Sequence, residues 1–415
     1  MEYSKLNKYA SLSLVLGPFI EPYALSDGGT AMFKLFMFLN ILVFLYKGKH
    51  VKYEFKPFNR FVLYALSVPT IIAFLYGYTS SVIGSYSTLL LFVLNLILVI
   101  PHVRIPLLRK YYKYAVIMCI VVFCLQELSY YTTGTRFMAL IPFFHTIYAG
   151  VDMTSFVAKM SMEDRSCSMF LEPSHFAHFL LPYLAMELGF LHDEGKLLNR
   201  TTVVVSLVLL FLRSGNGLIV MAIIWVFAVL FSNLYKPLKY IVIIPLAFAV
   251  SIYGFSAFSN TEMGQSIMDR IQELDTDVTE VNSGFIRLWR GYYVFGEQPF
   301  LVKLFGVGYG GLEDAVHNSR FQWMFFSNTD TYVNNVQAFL ISYGILGTIF
   351  FFLFLCSICD KKHFATTLVI IAFTSLCFLD NFFWSSKMLF ILAIPIAISY
   401  NKYILYNENT IYSNG

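Results

Sequence analysis

The sequence predicts an all-α, polytopic membrane protein of about 12 transmembrane helices, with two long outside loops carrying short amphipathic helices. Three observations predict it. Hydrophobic residues make up 58% of the 415-residue chain and charged residues only 13%, whereas a soluble domain has roughly 45–50% apolar and about 25% charged residues. Apolar runs near the ~20-residue length that crosses a bilayer recur along the whole chain. Between them, Lys and Arg gather in short segments, as they do in cytoplasmic loops.

The expected spans are roughly 9–26, 30–46, 61–79, 83–101, 112–127, 170–190, 201–213, 215–232, 240–258, 332–356, 364–382 and 384–400. With both termini inside, the short inside segments hold 18 of the 29 Lys and Arg residues. Five of these lie in "KGKHVKYEFKPFNR". The even number of spans follows from that pattern. Lys5 and Lys8 ahead of a short apolar run, with Ala24 and Ser26 beyond it, imitate a secretory signal. Pro18, Glu21 and Pro22 interrupt the run, so a retained first helix is expected. The chain is read as a single integral membrane domain, 1–415, with external loops at 128–169 and 259–331. Both loops are rich in aromatics rather than low in complexity, and both are expected to fold on the outer membrane face. No internal repeat is visible, which speaks against a transporter built from inverted halves.

The net charge of +4 is spread over these loops and points to no nucleic-acid partner. All six cysteines but Cys167 lie in apolar runs, so no disulfide framework is expected. Cys356 and Cys359 form a CxxC with no second pair at zinc-site spacing; they read as helix filler. No metal and no cofactor is expected.

Four stretches carry possible chemistry. In "SMFLEPSHFAHFLLPYL", Glu172 and His175 share a helical face, and Pro173 suits a first helical turn. That puts Glu172 and His175 at the outer lip of the sixth span, where water lowers the cost of charge, with Arg165 just upstream. A capping Glu with interfacial His and Arg fits equally well. In "LRSGNG", Arg213 stands at a glycine-rich turn whose following helix presents backbone N–H groups to an anion; a snorkelling Arg is the plainer alternative. In "NSGFIRLWRGYYVFGEQPFLVKLFGVGYGG", Arg287 and Arg290 point one way on a helix, with Tyr292 nearby. Paired guanidiniums suit a diphosphate and aromatics suit sugar rings or a lipid tail. "GVGYGG" follows no strand and reads as a tight turn rather than a nucleotide site. In "NTDTYVNNVQAFLISYGILG", Asp330 and Asn334 suit sugar hydroxyls or helix capping in equal measure. Glu21, Glu127, Asp380 and Lys387 lie near outer helix ends and read as solvated interfacial groups.

Taken in order, "FLEPSHFAHFLLP", "LRSGNGLIV", "RLWRGYYVF…LFGVGYGG" and "NNVQAFLISYGILG" resemble the Wzy-type O-antigen and capsular polysaccharide polymerases, of the O-antigen polymerase/ligase superfamily. The resemblance covers about residues 160–350. It implies a metal-independent glycosyltransferase that joins undecaprenyl-diphosphate-linked oligosaccharides on the outer face of a bacterial cytoplasmic (inner) membrane. The expected partners are that lipid-linked substrate, membrane lipid and a chain-length regulator protein. By motif position the resemblance assigns Arg165, Arg213, Arg287 and Arg290 to the diphosphate. Ligases of the superfamily place a His at the start of the "NNVQAFLISYG" segment; here Val333 or Asn334 stands there. Glu172 and His175 are the candidate catalytic bases, and Asp330, Asn334 and Tyr292 the candidate sugar-binding groups. A ligase-type transfer to another acceptor and a flippase or transporter for lipid-linked oligosaccharides are the alternatives.

Overall fold

The computed structural model describes residues 4–26, 31–47, 56–78, 82–141, 144–147, 165–196, 198–231, 284–325, 332–359 and 363–413; of residues 56, 82, 284–287 and 401–413 it describes the backbone alone. The described chain is mostly helical. Its helices are α1 (Lys5–Ile20), α2 (Met32–Lys47), α3 (Lys56–Tyr76), α4 (Val82–Leu98), α5 (Ile105–Thr133), α6 (Pro173–Asp193), α7 (Arg200–Phe211) and α8 (Gly215–Phe231). After a stretch outside the description come α9 (Gly284–Glu297), α10 (Phe300–Phe305), α11 (Leu312–His317), α12 (Asn335–Ile358), α13 (Phe364–Leu379) and α14 (Ser386–Ser413). Each expected span within the described residues is helical over most of its length, and the expected span 240–258 lies outside them. Four helical segments, Pro57–Tyr76, Ile83–His102, Ile105–Thr133 and Asn335–Ile358, are long and apolar enough to cross a membrane.

Two departures from the expected pattern concern the segment expected to form the first external loop. Helix α5 runs on to Thr133, past the expected boundary at 127, and stops at Gly134, whose φ of 74° suits a residue without a Cβ. The loop also supplies strand β2 (His145–Thr146), which pairs antiparallel with β1 (Tyr23–Ala24). Among the described residues the fold is therefore helical with one small two-stranded ladder. In the second loop, α9, α10 and α11 are the expected short helices.

Local sequence explains the helix boundaries. Asn199 and Thr202 close a capping box at the start of α7, and Asn334 and Gln337 close another at the start of α12. Pro106 and Pro173 sit in the first turns of α5 and α6, where their missing N–H costs nothing. Only 22% of the apolar window of α5 is buried, so its remaining surface suits lipid. By contrast α6 is buried along nearly its whole length. It packs chiefly against α13 and α8. Two glycines permit that approach: a methyl group on Gly189 would overlap the Ala365 backbone, and one on Gly217 would come within 2.9 Å of Ala177 Cβ.

Helix α12 is broken at Gly344 (φ 64°, ψ −173°). A break frees carbonyls one turn earlier, and inside an apolar bundle each needs a donor. All three find one. Val307 N–H donates to the Ile341 carbonyl (3.1 Å), Gly308 N–H to that of Ser342 (2.7 Å), and the Tyr64 hydroxyl to that of Tyr343 (3.0 Å). Tyr64 also lies 2.9 Å from the Phe305 carbonyl. The "GVGYGG" stretch is thus a backbone splice onto a broken helix. Gly306 and Gly308 hold φ of 78° and 71°, and a methyl group on Gly306 would overlap the Ser342 carbonyl.

Candidate functional site

The loop joining α13 to α14, "DNFFW", is the hub. Asp380 terminates α13 in an extended conformation, and its carboxylate accepts from the Asn381 N–H (2.7 Å) and the Tyr332 hydroxyl (2.6 Å). His178, two turns into α6, brings Nε2 to 3.0 Å from Asp380 Oδ2. The start of α12 grips the same loop. Asn335 N–H donates to the Asp380 carbonyl (3.0 Å), and Asn335 Oδ1 accepts from the Phe382 N–H (2.9 Å). Below the hub lies an aromatic floor, where Trp384 Nε1 donates to the Tyr343 hydroxyl (3.0 Å) and the Phe339 and Phe351 rings stack at 4.2 Å.

Charge at this hub is buried, contrary to the solvated interfacial role expected for Asp380, Lys387 and Glu21. Asp380 and Lys387 are 9% and 7% exposed. Lys387 Nζ is 3.6 Å from Glu21 Oε1, and Ser386 hydrogen-bonds the same Glu21 carboxylate. Removing such groups from water is costly unless they are paired. The pairs Lys387–Glu21 and His178–Asp380 meet that condition, and they tie α1, α6, α13 and α14 into one unit.

The four motifs reach the hub to different degrees. From the third, Arg290 is 1% exposed; its guanidinium lies 4.4 Å from the Phe325 ring and 5.3 Å from the ring of Tyr332, the residue that donates to Asp380. From the second, Asn216 Nδ2 donates to the Leu379 carbonyl (3.3 Å), next to Asp380. Arg213 stands in the same turn with φ 53°, a conformation rare outside glycine, and is half-buried. From the fourth, Asn334 accepts from Gln337 N–H (3.0 Å) and donates to the Phe378 carbonyl (3.0 Å). Its amide is spent on capping α12 and holding α13, so of the two roles expected for it the structure gives the capping one.

From the first motif, Glu172 is the N-cap residue of α6, and its carboxylate accepts from the Ser174 hydroxyl (3.2 Å) rather than capping the helix. His175 is half-buried, with its ring 6.3 Å from that of His178. Arg165 precedes Ser166, which belongs to a further network: Arg136 Nε donates to Ser166 Oγ (2.9 Å) and Arg136 is ion-paired with Glu127 (3.3 Å). Glu127 is therefore also a paired group, not a merely solvated one. Tyr292 is half-buried beside Trp289, with ring centroids 5.7 Å apart. Arg287 lies on the first turns of α9, where the backbone alone is described, and Asp330 lies outside the described residues.

His178, Asp380, Tyr332 and Arg136 were not singled out as site residues from sequence. The available signal was an ionisable residue within an apolar run, as in "CFLDNFF", which in a membrane protein marks a functional or tightly paired group. The arrangement can do two things chemically: hold a proton on a carboxylate-oriented imidazole, and present a buried guanidinium beside aromatic rings. Against known proteins, no family model matches the chain and no curated protein matches it in sequence.

Proposed function

We propose that this chain is a polysaccharide polymerase. It transfers a growing glycan from undecaprenyl diphosphate to the end of a fresh lipid-linked repeat unit, on the outer face of a bacterial cytoplasmic membrane. The apolar helices, the twelve spans and inside termini that the sequence predicts, the four motifs in order and the convergence of their segments support this. One observation carries it: Arg290, buried on α9, meets Tyr332, which is bonded to Asp380, which in turn neighbours His178 and Asn216. Residues drawn from five distant stretches thus meet at one hub.

The chemistry asks for that combination. Breaking the bond from the anomeric carbon to the diphosphate leaves negative charge on the leaving group, and fixed guanidiniums stabilise it. Arg213 and Arg290, with Arg165 and Arg287, are assigned to this role. The acceptor hydroxyl must lose a proton to a base within reach. Purified protein supplied with a synthetic lipid-diphosphate repeat unit is expected to give a ladder of products. Arg290→Ala and Arg213→Ala should each cut the rate at least ~100-fold, as loss of one preorganised donor does, with expression unchanged. Full ladders from both variants would defeat the assignment.

A second reading, a flippase for the same lipid-linked oligosaccharide, is favoured by the ion pairs buried inside the bundle. Movement of labelled substrate across vesicles without any ladder would select it. A ligase would instead attach preformed polymer to a different acceptor.

A further inference from the structure

His178 has a second nitrogen that nothing in the fold accounts for. Its side chain is 1% exposed; Nε2 lies 3.0 Å from Asp380 Oδ2, an ion-pair contact not aligned as a hydrogen bond, and Nδ1 has neither an ion-pair nor a hydrogen-bond partner among the described residues. A buried polar atom left without a partner costs free energy and calls for a reason. The same imidazole is the one Asp380 orients, while Asp380 itself is fixed by Tyr332 and by the Asn381 amide. An imidazole with a carboxylate on one nitrogen and an open position on the other is the arrangement of a general base. The hub is one layer below solvent: the Asp380 side chain is 12% exposed and His175, Asn216 and Asn381 are half-buried.

Resting on the function proposed above, we infer that His178, held by Asp380, is the base of the transfer, in place of Glu172 or His175. In the starting state Nε2 carries the proton toward Asp380 and Nδ1 is bare. The acceptor hydroxyl gives its proton to Nδ1, and its oxygen lone pair forms the new bond to the anomeric carbon. The bond from that carbon to the diphosphate oxygen breaks, and its electron pair leaves with undecaprenyl diphosphate. The imidazolium, paired with the Asp380 carboxylate, then returns its proton to water.

The test uses the full-length protein in lipid nanodiscs with a synthetic undecaprenyl-diphosphate repeat unit. His178→Gln should lower kcat by at least ~100-fold, the usual contribution of a general base, with KM changed less than about threefold. Asp380→Asn should lower kcat at least ~10-fold. His178→Ala should regain part of its rate when imidazole is added, a response that a purely structural histidine does not give. His192→Gln, at the opposite end of α6, should match wild type. Should His178→Gln fail to fold, Asp380→Asn and the imidazole response carry the test. Ladder synthesis by His178→Gln above a tenth of the wild-type rate, or a loss seen only in KM, would overturn the inference. A wild-type protein that makes no ladder would instead overturn the function on which it rests.

Discussion

At the residue scale, burial decides which polar side chains matter. Tyr64 is 8% exposed and its hydroxyl lies within hydrogen-bond distance of two carbonyls, Phe305 and Tyr343, both released by irregular backbone. Tyr64→Phe removes one oxygen and leaves buried acceptors short of a donor. It should cost about 1–3 kcal/mol, read as a lower unfolding midpoint in detergent, while the outer ends of α6 and α9 keep their accessibility to reagents. An unchanged midpoint would mean the carbonyls find another donor. Arg109 offers a contrast. Its two hydrogen bonds to Glu187 at 2.9 Å close an ion pair at the other end of α6 from the hub, so Arg109→Ala is expected to lower the midpoint without altering the product pattern.

At the element scale, the broken helix α12 is the feature on which the hub depends. Its first turn grips the α13–α14 loop through Asn335, and its break at Gly344 receives the Gly306–Gly308 splice. A Cβ on Gly344 would fall 2.5 Å from the Leu304 carbonyl oxygen, and one on Gly306 would overlap Ser342. Either Gly→Ala change should sharply reduce the yield of folded protein in the membrane, measured by size-exclusion profile. A monodisperse, wild-type-like profile from both would show that the splice is dispensable. The helices themselves were legible in the sequence, because long apolar runs and capping residues such as Asn199 and Asn334 report on local structure. The break was not. It arises from contacts between residues about forty positions apart, and "GVGYGG" reads only as a turn until its partner strand of backbone is known.

At the scale of the whole molecule, membrane character and the order of the motifs are legible in one dimension, but their meeting point is not. Asp380 and Lys387 look like ordinary interfacial charges in one dimension; packing of α1, α6, α13 and α14 buries them and pairs them with His178 and Glu21. Arg136 is illegible in one dimension for the same reason, since its partners Glu127 and Ser166 come from the last turns of α5 and from the far end of the same loop. The proposed orientation has a direct consequence. Reporter fusions after residue 47 and within 193–199 should report a cytoplasmic location, and fusions within 134–141 and 312–320 an external one. The reverse pattern would place the hub on the wrong face for a lipid-linked donor.

The central claim is that dispersed segments hold one lipid diphosphate at the Asp380 hub. A photoreactive undecaprenyl-diphosphate analogue, with its reactive group beside the diphosphate, tests this most directly when the labelled peptides are read by mass spectrometry. Label is expected on α9 near Arg290, on the Tyr332–Asn335 segment and on the turn bearing Arg213, all competed away by unlabelled substrate. Competable label confined to peptides from the loops proposed to be cytoplasmic, or to a single one of those three segments, would contradict it.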